Sequence, residues 1–359
     1  MTEKIQSREV PLGWLLIAAA TLLFFLSSAV RPQTPSTASS RLQLAESHKV
    51  SHVESVGFTV SDMDRAVDFY TRVLPFEKVS DVEIAGTDFE HLSGVFGARV
   101  RVVCLMLGDE TLELTEYLTP QGREIPVDSR SNDRWFQHVA IIVSDMDKAF
   151  AYLRANKIRF ASTGPQTLPA YITAAAGIRA FYFKDFDNHV LEILAFPADK
   201  GAPRWHDPAK NGKLFLGIDH TAIVVGDTEA SLKFYRDALG LTVSGESMNF
   251  GTEQEHLNNV FGARLHITGL KTDEPGINVE FLEYLAPTNG RPYPADSRGN
   301  DLWHWQTSFA TNHIDELFRS YDPNFISSGS VLFEKPVLGF RKASLVRDPD
   351  GHAVRLIEN

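Results

Sequence analysis

The sequence predicts an α+β fold of four similar strand-helix-strands units, preceded by one N-terminal hydrophobic helix. The first observation behind this is duplication. His91-Leu92 with Val95-Phe96-Gly97-Ala98-Arg99 returns 165 residues later as His256-Leu257 with Val260-Phe261-Gly262-Ala263-Arg264. Asp128-Ser129-Arg130-Ser131-Asn132-Asp133-Arg134-Trp135 returns 168 residues later as Asp296-Ser297-Arg298-Gly299-Asn300-Asp301-Leu302-Trp303, so the halves are duplicates with small insertions. The second observation is a fainter unit inside each half: an apolar strand, then Ser/Gly-Asp, then an amphipathic helix. It opens at Val56 to Val60 with Ser61-Asp62, at Val139 to Val143 with Ser144-Asp145, and at Thr221 to Val225 with Gly226-Asp227. The third is the way each unit closes, on β-rich runs at Arg101 to Tyr117, Phe181 to Phe196, Asn278 to Leu285 and Ala343 to Glu358.

Taken in order, residues 1–10 are a polar tail and residues 11–30 an apolar run without charge until Arg31. That is about the 17 to 25 residues a bilayer-spanning helix needs. An uncleaved transmembrane anchor is favoured over a cleaved signal peptide with its site near Ser27-Ser28-Ala29, because the run exceeds an ordinary signal core. Either reading expects the rest to be extracytoplasmic, periplasmic in a bacterium, with membrane contact through the anchor. A Pro/Ser/Thr-rich linker over residues 31–50 follows.

The units are expected at 52–120, 135–198, 217–287 and 303–359. Domain 1 then covers 51–198 and domain 2 covers 217–359, with a linker at 199–216. Ser61 and Ser144 suit helix N-caps. After them Met63, Ala66, Val67 and Tyr70, and Met146, Ala149, Phe150 and Leu153, fall at helical spacing and read as core. The fourth unit is the most degenerate, because Ala310-Thr311-Asn312-His313 replaces the Ser-Asp opening.

Composition narrows the function. There are 35 Lys and Arg against 46 Asp and Glu, a net charge of −11, which argues against nucleic-acid partners that need basic patches. Cys104 is the single cysteine, which excludes an intramolecular disulfide and a Cys-based zinc cluster and leaves His and carboxylates as metal ligands.

The runs Gln137-His138-Val139-Ala140-Ile141-Ile142-Val143-Ser144-Asp145, Asp219-His220-Thr221-Ala222-Ile223-Val224-Val225, Asp185-Phe186-Asp187-Asn188-His189 and Asp348-Pro349-Asp350-Gly351-His352 resemble the vicinal oxygen chelate superfamily. That superfamily includes glyoxalase I, methylmalonyl-CoA epimerase, extradiol dioxygenases and bleomycin-resistance proteins. The resemblance covers about residues 52 to 359. It implies βαβββ modules that pair into two open U-shaped barrels, each with a site inside. It also implies one metal ligand on the first strand of each module and a Glu on the last. Those positions are Ser55 and Glu113, His138 and Glu192, His220 and Glu280, and Gln306 and Arg355. Imidazole and carboxylate together suit Zn, Ni, Fe, Mn or Co. Alternation along the strand lets only one of Glu113 and Glu116 face inward, and Glu113 is expected to do so.

Pairing stays open. If neighbouring units pair, one site holds Ser55, Glu113, His138 and Glu192 and the other His220, Glu280, Gln306 and Arg355. If units two and three pair, His138, Glu192, His220 and Glu280 form a complete set. Connections of 25 residues from Glu113 to His138 and 26 from Glu280 to Gln306 favour neighbour pairing.

The leading functional expectation is a glyoxalase-type lyase or isomerase acting on a small molecule with vicinal oxygens. It would use a divalent metal, with Glu192 or Glu280 moving the proton. The alternatives are an extradiol dioxygenase and a non-catalytic small-molecule binding module.

Overall fold

The computed structural model describes residues 50–359 apart from 211 and 321–323. The first unit contains β1 (His52–Val60), α1 (Met63–Asp68, continued by a wider turn at Phe69–Val73), β2 (Glu77–Ala85), α2 (Thr87–Ser93), β3 (Arg99–Leu107) and β4 (Glu110–Thr119). The second contains β5 (Gln137–Val143), α3 (Met146–Ala155), β6 (Arg159–Phe160), β7 (Gln166–Thr167), β8 (Arg179–Lys184) and β9 (Val190–Ala195). In the third lie β10 (Phe215–Val225), α4 (Thr228–Leu232, continued at Lys233–Ala238), β11 (Thr242–Phe250), α5 (Thr252–Asn258), β12 (Arg264–Lys271) and β13 (Asn278–Ala286). The fourth has β14 (Trp305–Ala310), α6 (Ile314–Ser320), β15 (Asn324–Phe325), β16 (Val331–Leu332), β17 (Lys342–Arg347) and β18 (Ala353–Glu358).

Helix starts follow from capping. Asp62, Asp145 and Asp227 stand in extended backbone, and their carboxylates accept from the amides of Arg65, Lys148 and Ala230. The caps therefore fall one residue after the expected Ser61 and Ser144. Ser61 is used elsewhere: its amide and hydroxyl both donate to Asp187, at 2.8 and 2.5 Å. Behind the caps, Met63, Ala66, Met146, Ala149 and Leu153 are buried, as helical spacing required.

Two curled nine-stranded sheets form, with orders β15-β17-β18-β14-β1-β4-β3-β2 and β11-β12-β13-β10-β5-β9-β8-β6, the ninth strands β16 and β7 pairing with β17 and β8 off those paths. Each first strand lies parallel to the last strand of its own unit and antiparallel to another first strand. β1 joins β14, and β5 joins β10. The pairing is thus crossed, one with four and two with three. Barrels confined to 51–198 and 217–359 are corrected on this point.

Neighbouring units meet instead on the helical side. Tyr70 donates to Asp185 at 3.1 Å, and in the repeat Tyr235 donates to Asp348 at 3.1 Å. Arg123 reaches Asp301 across 178 positions, and Arg291 reaches Asp133 across 158. One apolar cluster takes residues from all four units, among them Phe58, Leu153, Phe281 and Phe309. Because strand side chains alternate, the residues between those core positions are left to line the inner faces.

One further expectation is corrected. Among the described residues no helix is long and apolar enough to cross a membrane. The longest continuous helical stretches among the described residues, 11 residues each at 63–73 and 228–238, rise about 17 Å against a hydrocarbon core of about 30 Å. The transmembrane helix expected at residues 11–30 falls on residues outside the described ones.

Candidate metal centre

The antiparallel join of β5 and β10 sets His138 opposite Ala222 and His220 opposite Ala140. The parallel partners then put Glu192 beside Ala140 and Glu280 beside Ala222. Two rungs result, Glu192-Ala140-His220 and Glu280-Ala222-His138. The intervening alanines keep the space between the polar groups clear. His138 and His220 come from separate units, and only the crossed pairing brings them together.

His138 Nε2 lies 3.1 Å from Glu192 Oε2, while His220 Nε2 lies 3.6 Å from Glu192 Oε2 and 3.7 Å from Glu280 Oε1. Nitrogen and oxygen atoms of His138, Glu192 and His220 all fall within 4.8 Å of one another. Ligands that each sit about 2.1 Å from one cation are separated by roughly 3.0 to 3.4 Å when adjacent. The observed edges are close to that spacing.

Behind His220, Asp219 Oδ2 lies 3.0 Å from Nδ1 and Asp219 Oδ1 accepts from Trp205 Nε1 at 2.6 Å. A register shift between Ile218 and His220 marks a bulge at Asp219. There its carboxylate reaches the ring of the next residue. This holds Nε2 toward the other three groups, the role a carboxylate behind a metal-binding histidine performs. His220 Nε2 and His138 Nδ1 are buried without a hydrogen-bond partner. Two imidazoles and two carboxylates, with Nε2 of His220 unpartnered between carboxylates, fit a divalent cation.

The electrostatics agree with that fit. Burial pushes His138 down, toward the neutral form. Burial also opposes charge on His220, but Glu280, Asp219 and Glu192 outweigh it and hold the imidazole up at about 10. Glu280 is raised to about 7 by burial, with Glu192 and Asp219 adding repulsion while His220 works against them. The acids around His220 draw positive charge into the cluster.

The equivalent rungs of the other sheet are Glu113-Gly57-Gln306 and, across β1, β14 and β18, Ser55-Ser308-Arg355. Glu113 does face inward, as expected, while Glu116 accepts from the Met63 amide on the helical side. Both its oxygens accept from Arg355, at 2.7 Å each, and Gln306 Nε2 donates to it at 3.1 Å. Arg355 Nε donates to Ser308 Oγ at 2.9 Å. The expectation that Glu113 and Gln306 ligate a metal is corrected: the guanidinium takes both carboxylate oxygens and fills the position of the cation. The cavity there is about 20 Å³, against about 270 Å³ beside His220.

Other repeated residues serve the frame. Asp133 and Asp301 anchor Arg291 and Arg123. His189 and His352 pair with Asp185 and Asp348 in the turns before β9 and β18. Sequence reasoning missed Asp219, whose signal was its adjacency to His220. It also missed Tyr182, which stands beside Glu192 on β8 with its ring 4.8 Å from that of His138.

The glyoxalase/bleomycin resistance protein/dioxygenase superfamily model matches residues 49–193 and 217–356. A 2-epi-5-epi-valiolone epimerase of Actinomyces sp. is 37% identical over 156 residues, 42% of this chain and 81% of that protein. The lactoylglutathione lyase of Schizosaccharomyces pombe is 23% identical over 313 residues, 83% of this chain and 93% of that one. The fold matches glyoxalase I of Zea mays with a TM-score of 0.55 at 18% identity, over 86% of this chain and 92% of that one. With its family model matched in both halves and its sheets curled as in that neighbour, this chain belongs to the glyoxalase/bleomycin resistance protein/dioxygenase superfamily.

Proposed function

We propose that the chain is an isomerase or lyase of the glyoxalase type, acting on a small molecule with neighbouring oxygens at the His138, Glu192, His220 and Glu280 cluster. The carrying observation is that this cluster opens on a cavity while its twin is closed by Arg355 and Glu113. The names of the epimerase and lyase relatives support the reaction class. A divalent metal, when held by the two histidines and the glutamates, supplies Lewis-acid polarisation of a substrate carbonyl.

The chain's residues handle orientation and protons. Glu192, buried between both histidines, bonds the His138 ring, while Asp219 holds the His220 ring. Glu280 is about a quarter exposed and lines the cavity. Its carboxylate takes a proton from the carbon beside the carbonyl and returns that same proton to the neighbouring carbon.

The test is elemental analysis of the purified protein with isotope exchange in D₂O. About one metal per chain is expected, lost in both His138→Ala and His220→Ala and retained in Ser55→Ala. No metal after reconstitution, together with ligand binding that persists under chelation, would establish a metal-free binding module instead. The His138, Glu192 and His220 set also suits an extradiol dioxygenase. Oxygen uptake with catechols, in place of C–H exchange, would select that reading.

A further inference from the structure

The cavity beside His220 has a lining that contains no lysine or arginine among its residues. Its charged groups are Glu192, Glu280 and Glu246 beside His220, and much of the remaining wall is apolar, as at Leu168 and Ile267. Along β11 and α5 runs a chain of neutral groups. Ser247 Oγ donates to Asn249 Oδ1 at 2.5 Å, Asn249 Nδ2 donates to Gln254 Oε1 at 2.9 Å, and Gln254 Nε2 donates on to Asn258.

Direction matters here. The Ser247 hydroxyl spends its proton on Asn249, so what it offers the cavity is a lone pair, and Asn249 and Gln254 behind it are almost fully buried. An acceptor of this kind is satisfied by a ligand O–H. It repels a carboxylate or phosphate oxygen, which brings no proton. Away from the metal ligands, the lining offers an anionic group no cation to replace the water it would lose.

We propose that this site selects neutral, polyhydroxylated carbonyl compounds, with Ser247 accepting from a substrate hydroxyl, and excludes carboxylated or phosphorylated ones. The proposal rests on the catalytic cluster assigned above and names its substrate class.

The test uses the metal-reconstituted full chain with erythrulose and dihydroxyacetone as neutral probes and glycerate and dihydroxyacetone phosphate as anionic ones. Binding is read by ligand-observed NMR, and turnover by C–H exchange in D₂O. The neutral ketones are expected to bind at least tenfold more tightly than the anions. In Ser247→Ala their KM is expected to rise about tenfold, with kcat and metal content unchanged. Anions binding as well as the neutral ketones, none of the probes binding, or a Ser247→Ala KM equal to wild type would each overturn the proposal. Metal content separates the two levels: a protein that holds its metal but fails these arms refutes the substrate class alone.

Discussion

Arg355 and Glu113, 242 positions apart, form two parallel bonds of 2.7 Å inside the sheet of units one and four. Their places correspond to Glu192 and Glu280 in the other sheet, so one sheet keeps an internal cation where the other keeps two acids and two imidazoles.

That pair sets the first prediction. Both side chains are nearly fully buried, so Arg355→Ala leaves the Glu113 carboxylate without its cation. Removing one partner of a buried pair costs about 3 to 5 kcal/mol. Urea unfolding is expected to show that loss, while metal content at His138 and His220 stays at the wild-type value.

Asp219 supplies the second. Asp219→Asn keeps the size of the side chain but removes the charge that fixes the His220 ring. A fall of about 10- to 100-fold in divalent-metal affinity is expected, by analogy with other carboxylates behind metal ligands. Calorimetric titration measures it, and an unchanged melting curve confirms that the fold is intact.

The third concerns pH. Burial works to raise Asp133 and Asp301, but bonds from Arg291 and Arg123 and from backbone amides hold both below the usual carboxylate range. A lowered folded-state value means that the unfolded chain binds protons first as pH falls. This stabilisation is complete well above about 3.9, the unfolded value, and is lost as pH drops through the folded value. The urea midpoint should fall from pH 5 to pH 3, and Asp133→Asn should flatten that fall.

A fourth follows from the shared core. Because one apolar cluster joins all four units, the two sheets should unfold in a single transition. Leu153→Ala should move the whole transition by about 2 to 5 kcal/mol. Far-ultraviolet circular dichroism and tryptophan fluorescence measured together would detect any separation.

Much of this molecule was legible along the chain. Strand and helix periodicities follow from side-chain geometry within four residues, so the units, their core stripes and the opposite facing of Glu113 and Glu116 could be read locally. The resemblance to the superfamily implied His138, Glu192, His220 and Glu280 as ligand positions, and their recurrence at corresponding places in two units agreed with it.

The partner of each first strand was not legible. Connections of 25 and 26 residues are long enough for either pairing, and burial of one core across distant units decided between them. Only that choice put His138 beside His220 and left Arg355 to close on Glu113. The chain order by itself determined which side chains share a face. The tertiary structure determined which faces meet, because strand pairing and ion pairing act between groups that sequence distance does not constrain.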